Sequence, residues 1–188
     1  MGHKQILFDK NKAHKMLIFR RVGVVNLFSD LSDFKGFDGL ENFNHTNEID
    51  STKPTPAIVS NEKVRKFLLA GDCHCNIENM RSGSSFEYKI QRNKNKKNMY
   101  FVNVMSGLGD IYCGYFYVNA DLIDYRKGDK GAFGEDDVRV QALLWVLRHS
   151  RNLPSFVIVQ HFGKCANCGS PLTDLDNLHT GLCPICEY

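Results

Sequence analysis

Four cysteines near the C-terminal end constrain this chain more than any other feature. They stand as Cys165-Ala166-Asn167-Cys168 and Cys183-Pro184-Ile185-Cys186, two CxxC pairs with fourteen residues between them. Two thiolates three positions apart on a tight turn converge on one ion, and Gly169 suits a corner that needs positive φ. A second pair closes a tetrahedron with Zn–S near ~2.3 Å, so the spacing predicts a structural zinc site held by Cys165, Cys168, Cys183 and Cys186. Four protein thiolates leave no open coordination position, so catalytic zinc is not expected. His161 and His179 lie near enough in sequence to replace one cysteine, but both pairs are intact. The paired spacing also favours zinc over an iron–sulfur cluster. Metal binding is then coupled to folding of a tail that otherwise offers only Leu172, Leu175, Leu178 and Ile185 for burial.

The chain has seven cysteines, an odd number, and the first apolar patch (Met16–Phe19) runs straight into Arg20 and Arg21. No secretory signal is visible, so reduced thiols in a cytoplasmic setting are expected rather than a disulfide framework. The longest apolar stretch, Ala142–Leu147, is far too short to span a membrane. Cys73 and Cys75 flank His74, and on a strand the two thiols share one face. They read either as buried thiols or as part of a second metal site, for which no partner pair is evident. Cys113, in an aromatic run, is expected in the core.

Composition fits one globular domain with an appendage: 188 residues, 43% hydrophobic and 24% charged. Residues 1–50 form an N-terminal extension, basic up to Arg21 and then acidic from Asp30 to Asp50. Its Phe28, Phe34, Phe37 and Phe43 suit either packing on the main domain or an interaction arm. Residues 51–60, with Pro54 and Pro56, read as an extended linker. Residues 61–162 read as an α+β domain, and 163–188 as the zinc finger.

Within that domain, Ser60 or Asn61 is placed to cap a short helix carrying Val64, Phe67 and Leu68, with Gly71 beyond its end. Phe86, Tyr88 and Ile90 alternate with Glu87, Lys89 and Gln91, the period of a half-buried strand. Tyr100–Met105 is the return strand, Ile111–Val118 a third, and Cys73–Glu78 adds one before them. Glu135, Asp136 and Asp137 open a helix that Arg148, His149 and Arg151 close, complementing its dipole. Val140, Leu143, Leu144 and Leu147 give that helix one apolar stripe. A short strand, Phe156–His161, leads into the cysteines.

No HExxH, Walker loop, GxSxG or complete GxGxxG is present, and no enzyme is expected. The net charge of +3 neither demands nor excludes a nucleic-acid partner, so its distribution matters. Lys89, Arg92, Lys94, Lys96 and Lys97 crowd one loop. Such a hairpin tip either lies along a phosphate backbone or is a solvated, soluble edge. Tyr88 and Tyr100 nearby offer stacking surfaces.

Several segments resemble an uncharacterised family of phages and bacteria. They are Phe67-Leu68-Leu69-Ala70-Gly71, Ser85–Lys89, Tyr100–Gly107, Tyr112–Gly114, Ala142–Trp145 and, most distinctly, His161-Phe162-Gly163-Lys164-Cys165-Ala166-Asn167-Cys168-Gly169-Ser170-Pro171-Leu172-Thr173. The resemblance covers about residues 62–188. Family members usually place Gly-Pro before the last cysteine, whereas here Gly181-Leu182-Cys183-Pro184-Ile185-Cys186 completes a second CxxC. The resemblance implies a phage or mobile-element protein acting inside a bacterial cell, and assigns no biochemical role.

The expected fold is therefore α+β: a small antiparallel sheet, one long helix packed on it, and a C-terminal four-cysteine zinc ribbon or knuckle. The expected function is non-catalytic, zinc-stabilised nucleic-acid binding. The alternative is a protein-interaction module that inhibits or redirects a bacterial host or defence protein, using the acidic arm or the zinc surface.

Overall fold

A computed structural model describes residues 56–188. The N-terminal extension and the start of the linker lie outside the described residues. The chain order is β1 (Ala57–Ile58), α1 (Val64–Leu68), β2 (Asp72–Asn79), β3 (Ser84–Arg92), β4 (Met99–Ser106), β5 (Gly109–Asn119), β6 (Leu122–Arg126), α2 (Val138–His149), β7 (Val157–His161), α3 (Leu175–Thr180) and α4 (Pro184–Glu187). The fold is α+β.

All seven strands join one antiparallel sheet in the order β1-β7-β2-β3-β4-β5-β6. This sheet is larger than the sequence pattern predicts. Two edge strands account for the difference. Ala57–Ile58, in the segment read as linker, pairs with His161 and Gln160 of β7. Leu122–Arg126 pairs with Tyr115–Asn119 of β5 and escapes the pattern because it is short and carries the Asp124–Arg126 ion pair on its exposed side. β2 to β6 form a meander of tight hairpins, and β7 returns to the far side of β2.

The period-2 pattern sorts the side chains. Cys73, Cys75 and Ile77 of β2, Tyr88 and Ile90 of β3, and Tyr100, Val102 and Val104 of β4 point into the core. Tyr100 stacks on Phe116, with ring centroids 5.3 Å apart and planes 10° from parallel. The register shifts between Val102 and Asn103, whose partners are Gly114 and Tyr112, so Cys113 is the extra residue of a bulge. It is buried, and burial pushes its thiol up to about 11.

Helix α2 begins at Val138, later than the acidic run suggests. Asp137 caps it, accepting from the backbone N–H of Arg139 at 3.0 Å, while Glu135 lies outside and pairs with Arg148 at 3.0 Å. Ala142 and Val146 are buried along with Val140, Leu143, Leu144 and Leu147, so the apolar surface extends beyond a single stripe. The first turn meets the sheet where the Tyr88 hydroxyl donates to the Arg139 carbonyl at 2.7 Å. In α1 neither Ser60 nor Asn61 caps by its side chain; Asn61 Nδ2 donates instead to the Leu153 carbonyl at 3.2 Å.

The cysteine-bearing tail packs directly on this framework. The Asp72 N–H donates to the Ala166 carbonyl at 2.7 Å, and the Ser60 N–H donates to the His179 carbonyl at 2.9 Å. His161, wholly buried, joins β7 to α3: its Nδ1 accepts from the Gly163 N–H at 3.0 Å, so Nε2 carries the proton given to the Leu178 carbonyl at 2.8 Å.

Candidate metal centre

The first cysteine pair sits on a turn closed by backbone hydrogen bonds. The Cys165 N–H donates to Ser170 O at 2.8 Å, the Gly169 N–H to Cys165 O at 2.9 Å, and the Leu172 N–H to Gly163 O at 2.8 Å. Gly169 takes φ +74°, the left-handed conformation this corner needs. The second pair opens α4, with Pro184 in its first turn, where a missing N–H costs nothing. Between the pairs, Asp174 caps α3 and Gly181 ends it at φ +68°.

These turns bring Cys165, Cys168, Cys183 and Cys186 together, with all four Sγ atoms within 4.8 Å of one another. Cys168 Sγ and Cys183 Sγ are 3.7 Å apart. A tetrahedron with metal–sulfur bonds near ~2.3 Å has edges of about 3.8 Å, so this spacing suits one tetrahedral ion. The distance is far longer than a disulfide bond of about 2.05 Å. Two N–H donors point at sulfur, the Cys183 backbone at Cys165 Sγ and Asn167 Nδ2 at Cys186 Sγ, each at 3.3 Å. Donors to sulfur stabilise thiolate charge, as a cation site requires.

The thiols titrate unequally. Ser170, through its side chain and backbone, and then Cys165 and Cys183 pull Cys168 down to about 6. At Cys186 the Asn167 amide favours the thiolate, but hydrogen bonds with Cys183, burial, and hydrogen bonds with Cys168 and Cys165 raise it to about 12. One member of the cluster ionises readily while another holds its proton, because hydrogen bonds among the sulfurs favour the thiolate at Cys168 and the protonated form at Cys186.

Burial in the tail departs from the sequence expectation. Leu172 and Leu182 are buried, whereas Leu175 is 73% and Ile185 is 91% exposed. With so few apolar anchors, the tail depends on its contacts with α1 and β2 and on the four sulfurs. Both alternative histidine ligands drop out: His161 uses both ring nitrogens elsewhere, and His179 is exposed outside the cluster.

No protein-family model, curated protein or solved structure matches the chain. Among the described residues, the cysteine quartet is the one convergent group of three or more metal-ligating side chains. Cys73 and Cys75 are buried on the core face, and burial drives the Cys73 thiol well up. His74 faces the other way, 2.6 Å from Glu87 and against the Phe162 ring at 4.5 Å. The Cys73-His74-Cys75 run is thus split by the strand pleat, and the buried-thiol reading fits.

The five basic residues of the β3–β4 region have three different settings. Lys89 lies on the sheet and pairs with Asp110 at 2.8 Å. Arg92 folds toward α1, where its Nη2 donates to the Leu69 carbonyl and its Nε donates to Tyr100 Oη at 3.1 Å. Lys94, Lys96 and Lys97 stand exposed at the tip, with no salt bridge among the described residues. Asn93 orders that tip: its Oδ1 accepts from the N–H groups of Asn95 (2.8 Å) and Lys96 (3.0 Å), and Met99 N–H closes on Lys96 O at 3.0 Å. Tyr88 and Tyr100 are buried and offer no stacking surface. No helix among the described residues is long and apolar enough to cross a membrane.

Proposed function

We propose that this is a non-catalytic, zinc-stabilised protein that binds nucleic acid through the tip of its β3–β4 hairpin. One observation carries the proposal: Lys94, Lys96 and Lys97 project from a tip ordered by Asn93, so their charges are presented on a set frame. Each lysine placed against a phosphate releases condensed counterions, which makes such binding favourable and salt-sensitive. Zinc suits four thiolates in paired turns at tetrahedral spacing, and a filled thiolate shell supports a structural role. We place its action in the cytoplasm of a bacterial cell, the setting that membership of the phage and bacterial family would imply.

The test is binding of the zinc-loaded full chain to labelled single- and double-stranded DNA and RNA across a salt series. Replacing Lys94, Lys96 and Lys97 together by Gln should weaken binding for all sequences and flatten the salt slope by up to about three phosphates' worth. Binding that survives the triple change refutes the hairpin assignment. A protein that ignores every nucleic acid at low salt points instead to a protein partner, for which the exposed Leu175 and Ile185 of the tail are the apolar contacts.

A further inference from the structure

A cleft of about 790 Å³ opens between α1, the base of the β3–β4 hairpin, the end of α2 and the cysteine turns. That volume falls within the range of small-molecule sites. Four of its lining side chains are cations, Arg65, Lys66, Arg92 and Arg151, and its one lining carboxylate is Glu62. The two best-fixed guanidiniums are held by uncharged acceptors. Arg65 Nη1 donates to Leu147 O at 3.1 Å and its Nη2 to Ala120 O at 2.8 Å, while Arg92 is held by Leu69 O and Tyr100 Oη. Carbonyls orient an arginine without cancelling its charge. Asp121, outside the lining, is 2.7 Å from Arg151 and 3.8 Å from Arg65, but it is exposed and serves both. Lys66 is exposed and has no salt bridge among the described residues.

The uncharged lining comes from Leu69, Ala70 and the buried Leu182, beside the polar Ser150, Asn167 and Cys186. A ligand suited to this cleft therefore carries a compact, multiply charged anionic group and an uncharged body. Pre-oriented guanidiniums match the oxygens of a phosphate better than a single carboxylate, because several donors meet several acceptors at once.

We propose that this cleft binds an organic phosphate ester of nucleotide size, with Arg65, Lys66, Arg92 and Arg151 around the phosphate and the uncharged lining against the organic body. The phosphate ester is either a free nucleotide or the phosphorylated end of a nucleic-acid strand. The site is distinct from the hairpin tip and stands or falls independently of it.

Calorimetric titration of the zinc-loaded full chain tests the proposal, with adenosine 5′-monophosphate, adenosine, and a short oligonucleotide carrying either a 5′-phosphate or a 5′-hydroxyl as probes. The monophosphate should bind at least tenfold more tightly than adenosine. Lys66→Glu and Arg151→Glu, both at exposed positions, should each weaken it at least tenfold while melting temperature and zinc content stay unchanged. Replacing Lys94, Lys96 and Lys97 should leave it intact. A 5′-phosphate-dependent gain for the oligonucleotide over the mononucleotide identifies a strand end as the source, and equal or weaker binding identifies the free nucleotide. The proposal is overturned by absence of monophosphate binding at millimolar concentration, by equal binding of adenosine, by indifference to both charge reversals, or by loss of mononucleotide binding in the hairpin variant.

Discussion

Gly181 joins the four-cysteine cluster to the core, and replacing it with alanine tests that junction. Gly181 closes α3 in the left-handed region at φ +68° and ψ 14°. A Cβ there would stand 2.4 Å from Phe67 Cδ2 and 2.7 Å from Cε2. Phe67 has little room to retreat, being wholly buried with its ring centroid 6.0 Å from that of His161. Two costs therefore add. Left-handed backbone in a residue with a Cβ costs about 1–2 kcal/mol. Overpacking a filled core costs a further ~1–3 kcal/mol. Together they amount to about 2–5 kcal/mol, or roughly 4–20 °C in melting temperature for a chain of this size.

The strain also reaches the cysteine cluster, because Gly181 O accepts from the Ala166 N–H at 3.0 Å and Cys183 follows two residues later. If half of it is relieved when the tail lets go, zinc affinity falls by about one to two decades, at ~1.4 kcal/mol per decade. Gly83 supplies the control. It has nearly the same φ, +72°, nothing within 4 Å of its Cβ position, and a place in the β2–β3 hairpin. Gly83→Ala should carry only the backbone cost and leave zinc untouched. Thermal unfolding and chelator competition on both variants isolate the packing contribution. Equal melting shifts, with zinc affinity unchanged in Gly181→Ala, would refute the claim that the metal turns are braced on Phe67.

Two further outcomes follow from the same geometry. Cys165→Ser removes the buried ligand and the sulfur that accepts from the Cys183 N–H, so zinc content should fall below one per chain and protease cleavage within 163–188 should accelerate; full zinc content with an unchanged melting temperature counts against a metal at this site. His161 is held below its ordinary value of 6.5 by burial, which outweighs the opposing hydrogen bond to Leu178. The unfolded chain then takes up a proton first, so the stability it contributes is complete above 6.5 and lost as pH falls from there through the folded-state value. Denaturant titrations at pH 7.5 and 5.5 should show a larger loss for the natural protein than for His161→Gln, and parallel losses would remove His161 as the cause.

Features set by local spacing are legible in the chain before it folds. Two CxxC pairs specify a four-sulfur cluster because each pair acts within a single turn, and the structure brings those four sulfurs together. Alternation over Phe86–Gln91 marks a strand, since side-chain period is a property of the strand itself, and Tyr100–Met105 reads as its return. Acids before Val138 and Arg148 and His149 in the last turn bracket a helix because charge at either end complements its dipole. Tertiary structure decided the rest. The sheet gained β1 and β6 from two short segments whose partners lie elsewhere in the chain. It also divided one basic cluster into a paired lysine, an exposed tip and an arginine facing a cleft. That cleft was invisible in sequence because Arg65 reaches its acceptors across 82 and 55 residues. Which charges share a space depends on how the sheet and its helices close, and no short window of sequence contains that closure.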